Sequence, residues 1–281
     1  MTTGQKRLPT ATPRTWQKTA VRRVTRAEVP RFYVSEPLRS VKGECLSLGS
    51  DETRHATRVL RLKVGDKVEL CDGRGGVAQG QIAHFDKSCT KVQCSDEPHI
   101  QPWVGPKLEL AVACGGLKGG RGDWLVEKAT ELGAFSLIPL LSSRSQIVGG
   151  RASRKEVSGR ESRWERVAQA AMKQSLRLHA LDIKSPMGVE QLEQLIRTSN
   201  QSFIAIANAP PVLHALEQLG KDNEHGESSD LLIIGPEGDF TDEEKAALTN
   251  AGAIPVGLGT NRLRVETAAI GMLAAFRFHT L

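Results

Sequence analysis

Two glycine-containing segments hold the side chains best suited to chemistry, and the first is residues 235–240, Gly-Pro-Glu-Gly-Asp-Phe. It directly follows the apolar run 231–234, so it is predicted to leave the end of a buried strand. Its glycines let the backbone approach a ligand closely, and Pro236 stiffens the turn. Glu237 and Asp239 disfavour a phosphate and favour a ligand with hydroxyl groups or a positive charge. The pattern indicates either a ligand-binding loop or a tight turn without a ligand.

The second segment is residues 257–267, where a strand end, a glycine-containing loop and a helix start follow one another. Arg262, Arg264 and Glu266 crowd this junction. Glu266 is predicted either to cap the helix or to act as an anion stabilised by the helix dipole. Arg264 is suited to hold an RNA phosphate through two parallel hydrogen bonds.

A third segment, residues 115–122, is rich in glycine and lies between a predicted strand and a predicted helix. It differs from the phosphate loop of a nucleotide triphosphatase, because no Lys-Ser or Lys-Thr pair follows its glycines. Lys118 and Arg121 are therefore expected to face solvent or RNA. The sequence has no metalloprotease, serine-hydrolase or zinc-deaminase signature, and its five cysteines form no Cys-x-x-Cys pair, so no metal site is expected.

The elements that must position these segments divide the chain in two. Residues 31–95 read as short strands, with alternating patterns at 67–70 and 77–84 and one helix at 51–60 capped by Ser50 or Asp51. This predicts a small β-barrel, followed by a proline-containing linker at 95–106.

After Lys107, apolar strands alternate with helices, which predicts an α/β fold with a mostly parallel sheet. Predicted strands are 108–114, 135–139, 202–207, 231–234 and 254–258. Predicted helices are 123–132, 161–178, 212–219, one opened by a capping box at 241–244, and 266–278. Ligands of such sheets bind beyond the carboxyl ends of the strands, where the three glycine-containing segments are predicted to lie.

Charge is unevenly distributed along the chain. Seven basic residues and no acid precede Glu28, and the rest holds 31 basic and 32 acidic residues, so the net charge of +6 comes from this extension. Residues 1–29 are predicted to be a flexible tail, an arm that touches nucleic acid, or the remnant of an organellar targeting peptide. The expected compartment is therefore cytoplasmic or organellar (chloroplast or mitochondrion). Within the body, residues 151–177 are basic and are expected to attract a polyanion.

Six short motifs occur together in one order, at 31–34 (RFYV), 55–61 (HATRVLR), 128–133 (KATELG), 174–177 (QSLR), 235–238 (GPEG) and 263–268 (LRVETA). With them the chain resembles the RsmE-type ribosomal RNA methyltransferases of the SPOUT superfamily, from about Pro30 to the C-terminus. Two positions depart from the family pattern. Asp239 stands where a second glycine is usual, and Asn261-Arg262 stand where Arg-Ile is usual.

The resemblance implies a PUA-like β-barrel that binds RNA over residues 30–98 and a SPOUT methyltransferase domain over 107–281, with a parallel sheet flanked by helices and a deep trefoil knot. It implies S-adenosylmethionine as cofactor, N3 of a uridine in small-subunit (16S-type) ribosomal RNA as target, and a homodimer without metal or membrane. The alternatives are a catalytically weak RNA-binding factor of ribosome assembly and a knotted methyltransferase that acts on another RNA.

The resemblance also assigns roles to residues. Arg264 is expected to stabilise the anionic uracil or a phosphate, and Glu266 to orient Arg264 or to take the N3 proton. The residues expected to hold the cofactor are Ile234, Gly235, Pro236, Glu237, Gly238, Leu258, Gly259, Leu263 and Thr267. The residues expected to contact RNA are Arg31, Arg58, Arg61, Lys118, Arg121, Arg144 and Arg177.

Overall fold

The structure is a computed structural model that describes residues 29–86, 89–114, 120–144, 154–218 and 229–279, with the backbone alone for 154–162. Nearly all of the predicted extension 1–29, Lys118 with most of the segment 115–122, and parts of the charged stretches lie outside the described residues. Among the helices described, none is long and apolar enough to cross a membrane.

The N-terminal part forms a six-stranded sheet. Its strands are β1 (Arg31–Tyr33), β2 (Cys45–Leu48), β3 (Lys67–Cys71), β4 (Gly76–Phe85), β5 (Thr90–Cys94) and β6 (His99–Ile100). They are ordered β1-β3-β4-β5-β2, with β6 on the end of β4, and all pairs except β1 with β3 are antiparallel. Leu70, Ile82 and Val92 are buried on one face, so the alternating patterns predicted at 67–70 and 77–84 are confirmed.

The helix predicted at 51–60 is two shorter elements, α1 (Ser50–Arg54) and a π-helical turn (His55–Val59) in which Leu60 N–H donates to His55 O over 3.0 Å. The predicted cap was wrong. The helix begins at Ser50 after an extended Gly49, which has no side chain to cap it. Ser50 and Asp51 instead lie in the first turn, where the carboxylates of Asp51 and Glu52 favour the positive end of the helix.

The C-terminal part is a seven-stranded, fully parallel sheet, which confirms the predicted α/β class. Its strands are β7 (Lys107–Val112), β8 (Ser136–Leu141), β9 (Asp182–Ile183), β10 (Met187–Gly188), β11 (Gln201–Ala205), β12 (Ser229–Ile234) and β13 (Ile254–Val256). The order is β10-β8-β7-β12-β11-β13, with β9 also on β8. The central strands β7 and β12 are apolar over most of their length because both of their faces are covered.

Within the residues that the structure describes, six helices flank this sheet: α2 (Arg121–Glu131), α3 (Arg154–Ser175), α4 (Val189–Thr198), α5 (Val212–Gln218), α6 (Asp242–Asn250) and α7 (Val265–His279). One apolar cluster joins α2, α3, α5 and α7 to one face through residues such as Leu125 and Phe276. Another joins α4 and α6 to the opposite face through Leu192 and Leu248. The sheet therefore lies between two layers of helices, and the loops that follow its strands lie at its edges.

The predicted linker 95–106 is folded. It contains β6, and the Trp103 ring packs edge-on against Phe135 and His179, each at a centroid distance of 5.2 Å. The N-terminal and C-terminal parts are also joined through their loops, because Ala180 N–H donates to Gly73 O over 2.8 Å. The segment 95–106 is thus part of the contact between the N-terminal and C-terminal parts.

Candidate active site

Three loops meet at the carboxyl edge of the parallel sheet, after β8, β12 and β13, and the start of α2 joins them. The guanidinium of Arg262, from the loop after β13, donates a hydrogen bond to Glu237 O in the loop after β12. Arg144, from the turn after β8, donates to Gly238 O over 3.0 Å. Parallel strands bring their carboxyl ends to one edge, so residues nearly a hundred positions apart in sequence become neighbours.

The loop 235–240 is a tight turn built on the Phe240 ring. Asp239 N–H donates to Pro236 O over 2.8 Å, while Phe240 is fully buried. A Cβ at Gly235 would lie 2.9 Å from two carbons of that ring, so only glycine fits without a shift. Glu237 and Gly238 are exposed at the tip, and their carbonyl oxygens accept hydrogen bonds from Arg262 and Arg144.

Asp239, one of the departures from the family pattern, adopts a left-handed backbone with φ of +62°. Glycine favours this conformation, and aspartate is among the few other residues that tolerate it. Its carboxylate accepts a hydrogen bond from Phe240 N–H over 2.8 Å and pairs with Lys245 at 2.7 Å. The loop therefore keeps its shape with aspartate at this position.

The loop after β13 is fixed at its base and open at its tip. Gly257 N–H donates to Pro210 O over 2.7 Å, and a Cβ on Gly257 would lie 2.4 Å from Ala209 O. Beyond it, Gly259 has φ of +113° and is exposed. Leu258 is half-buried, whereas Leu263 and Thr267 are exposed.

Arg121 links the two loops electrostatically. Its Nη1 atom lies 3.6 Å from Oε1 of Glu237 and 3.5 Å from Oε2 of Glu266, in the first turn of α7. Glu266 is buried, and its Oε2 accepts no hydrogen bond from any part of the chain that the structure describes. Arg264 lies two residues earlier, with an exposed side chain. The residues predicted to be catalytic are therefore beside the loop predicted to bind the cofactor.

Four other arginines predicted to contact RNA form two groups, one exposed and one bound within the fold. Arg58 and Arg61 are exposed beside the π-helical turn. Arg31 is nearly buried in an ion pair with Glu69. Arg177 donates to the carbonyl oxygens of Thr130 and Ala134, and burial, followed by the nearby Arg277, lowers its pKa to about 10.

Sequence reasoning did not predict the contact between Ser143 and Glu244 at this edge. The capping box at 241–244 is confirmed, because Thr241 Oγ1 accepts from Glu244 N–H over 3.2 Å. The same glutamate also binds Ser143, a contact across 101 positions that no local pattern signals. Within the described ranges, no three histidine, cysteine or acidic side chains come together as a metal site.

Comparison with known proteins places this arrangement in context. The family model of an RNA methyltransferase domain matches residues 105–277, and that of an RNA methyltransferase PUA domain matches residues 48–91. The chain is 28% identical over 239 residues to ribosomal RNA small subunit methyltransferase E of Bacillus subtilis, covering 83% of this chain and 90% of the relative.

It is 30% identical over 243 residues to the protein of the same name from Aquifex aeolicus, with 86% and 96% covered. Among solved structures, the ribosomal RNA small subunit methyltransferase E of Neisseria gonorrhoeae, bound to S-adenosyl methionine, aligns with a TM-score of 0.72. It is 25% identical, and the alignment covers 89% of this chain and 98% of that one.

Proposed function

Because the chain belongs to the RNA methyltransferase family, with relatives named ribosomal RNA small subunit methyltransferase E, we propose that it methylates N3 of a uridine in small-subunit ribosomal RNA, using S-adenosylmethionine. The observation that carries the proposal is the meeting of the loops after β12 and β13 at the carboxyl edge, with Arg121 between Glu237 and Glu266. The cofactor in the Neisseria gonorrhoeae relative supports it.

Open space and apolar side chains in the two loops support S-adenosylmethionine as the ligand. A Cβ at Gly259 would meet no atom within 4 Å, and one at Gly238 would meet only the Arg144 side chain at 3.6 Å. The space directly beside these two glycines is therefore open to a ligand, while Leu258 and Leu263 offer apolar contact. The residues that would hold the cofactor are Ile234, Gly235, Pro236, Glu237, Gly238, Leu258, Gly259, Leu263 and Thr267.

When bound, the cofactor supplies a methyl group that its positive sulfur has already activated. The protein must then hold the uracil in line and remove the N3 proton, because protonated N3 is a poor nucleophile. Glu266, in the first turn of α7 and paired with Arg121, either orients Arg264 or takes this proton. Before RNA binds, the positive charge of Arg121 balances the negative charge of the Glu266 carboxylate. Arg264 stabilises the negative charge that develops on the uracil or an adjacent phosphate.

N3 lies on the Watson–Crick edge, so the target uridine must be unpaired when it enters the site. Arg58, in the π-helical turn, and Arg61, just after it, bind the RNA backbone in this proposal, and their exposure supports that role. The proposal includes the PUA-like barrel, the trefoil knot and the homodimer that the family resemblance implies. Light scattering at known protein concentration tests the dimer.

The variant Arg264→Ala tests the catalytic assignment. We expect methyl transfer to be lost while the Kd for S-adenosylmethionine, measured by calorimetry, stays within about twofold, because Arg264 acts on the RNA side. Mass mapping of ribosomal RNA nucleosides after gene deletion identifies the modified uridine. Turnover within a few-fold of wild type would contradict the role of Arg264. Failure of the wild-type protein to bind S-adenosylmethionine would instead favour an RNA-binding assembly factor.

A further inference from the structure

The turn 142–144 after β8 is attached to the start of helix α6 through the carboxylate of Glu244. Oε1 of Glu244 accepts hydrogen bonds from Ser143 N–H at 2.8 Å and from the Ser143 hydroxyl at 2.9 Å. Its other oxygen accepts from Thr241 N–H at 2.9 Å. Glu244 is buried, and all three donors are directed at it. A single side chain therefore joins the strand end of β8 to the residue that follows the loop 235–240.

The neighbouring Arg144 holds the same loop at its middle. Its Nη1 atom donates to Gly238 O over 3.0 Å and lies 3.5 Å from Phe240 O. Its Cδ atom would be 3.6 Å from a Cβ on Gly238, so the aliphatic part of the side chain also lines the loop. A guanidinium bound to two carbonyls fixes their direction, because its donors have a planar arrangement.

We propose that the turn 142–144 is a positioning element that holds the loop 235–240 in its cofactor-binding shape, with Arg144 acting on the Gly238 and Phe240 carbonyls and Glu244 acting on the loop's exit. This deepens the proposed function and rests on it. Arg144 is thereby a positioning residue, whereas its charge alone predicted an RNA contact. Neither Ser143 nor Glu244 needs to touch the cofactor.

The physical reason is preorganisation. Glu237 and Gly238 are exposed at the tip of a loop, and ordering such a loop on binding would cost conformational entropy. Contacts that order the loop before binding remove this cost from the binding step. Loss of the contacts that Arg144 and Glu244 make should therefore weaken cofactor affinity and leave the chemical step unchanged once the cofactor is bound.

The test compares Arg144→Met, which keeps the aliphatic chain, with Arg144→Lys, which can donate to one carbonyl, and with Glu244→Gln. The matched controls are Arg197→Met and Glu190→Gln on α4, both exposed and remote from the loop in sequence. Calorimetry gives the Kd for S-adenosylmethionine, steady-state kinetics give KM and kcat, and thermal melting reports folding.

For Arg144→Met we expect Kd and KM for S-adenosylmethionine to rise about tenfold, which corresponds to about 1.4 kcal/mol. We expect kcat at saturating cofactor to stay within about twofold, Arg144→Lys to recover part of the affinity, and the controls to match wild type. If Glu244→Gln does not fold, Arg144→Met and Ser143→Ala decide the question.

Unchanged Kd in folded Arg144→Met overturns the proposal, and so does a loss confined to the melting temperature or to kcat. These results are distinct from failure of the proposed function, which would appear as no cofactor binding by wild type itself.

Discussion

At the scale of the residue, Asp239 illustrates how backbone conformation limits substitution in the loop 235–240. Its φ of +62° is accessible to glycine, asparagine and aspartate but is strained for a β-branched residue. We expect Asp239→Val to lower the free energy of unfolding by about 2 kcal/mol, whereas Asp239→Gly and Asp239→Asn stay within about 1 kcal/mol of wild type. Urea unfolding of the three variants measures this, and a valine variant as stable as the asparagine variant would contradict it.

Residue types indicated the chemistry of the site, but their partners could not be read from sequence. Glu266 and Arg264 were expected at a helix start, and the structure has them there. Arg177 was expected to face RNA, yet its guanidinium binds the carbonyls of Thr130 and Ala134, more than 40 positions away. A charged side chain in sequence does not reveal whether the fold presents it to solvent or to buried backbone.

At the scale of the element, the loop after β12 depends on the contact between Gly235 and Phe240. A methyl group at Gly235 would meet ring carbons at 2.9 Å, and the fully buried ring has little room to move. We expect Gly235→Ala to cost about 1–3 kcal/mol of stability, as overpacking does. Adding Phe240→Leu should relieve the clash, so the double variant should be more stable than the sum of the single effects. Strict additivity in urea unfolding would show that the ring is not the obstacle.

The start of α6 is expected to depend on pH through Glu244. Burial by itself raises the pKa of Glu244, but the hydrogen bonds from Ser143 and Thr241, with the Arg144 charge, lower it below its usual value. A lowered pKa in the folded state contributes stability above the unfolded pKa of about 4.3, and this contribution is lost as pH falls through the folded value. We expect the stability difference between wild type and Glu244→Gln to be largest at neutral pH and to shrink toward pH 3. A difference that grew on acidification would contradict this sign.

Regular elements were predictable where the pattern was long enough to repeat. The alternation in β4 and the capping box of α6 were both found from sequence. The two-residue strands β9 and β10 are too short to show a period, and α4 was missed although Val189, Leu192 and Ile196 have helical spacing. The π-helical turn after α1 has wider hydrogen bonds than an α-helix, such as the one from Leu60 N–H to His55 O, and residue propensities do not signal them.

At the scale of the whole molecule, the division into a strand-rich part and an α/β part was predictable, whereas their attachment was not. Lys173 of α3 forms an ion pair with Glu52 of α1 across 121 positions. Gly75 N–H donates to Leu178 O over 2.9 Å beside it. These contacts depend on the complete fold, because neither partner lies near the other in sequence. They place the exposed Arg58 and Arg61 on the same body as the candidate active site.

This attachment leads to a prediction for RNA binding. Each phosphate contact releases counterions, so removing two basic contacts should weaken affinity and flatten its salt dependence. For Arg58→Gln combined with Arg61→Gln, we expect the slope of log K against log salt concentration to fall in magnitude by about 1.5. The titration uses protein-free small-subunit ribosomal RNA, and Arg197→Gln on α4 is the control because it removes an equally exposed charge elsewhere. Cofactor affinity should stay at the wild-type value in both variants, since Arg58 and Arg61 lie in the N-terminal part, outside the loops of the candidate active site. An unchanged slope would contradict an RNA contact at the π-helical turn, and an equal loss per charge removed in the control would show that the effect comes from net charge alone.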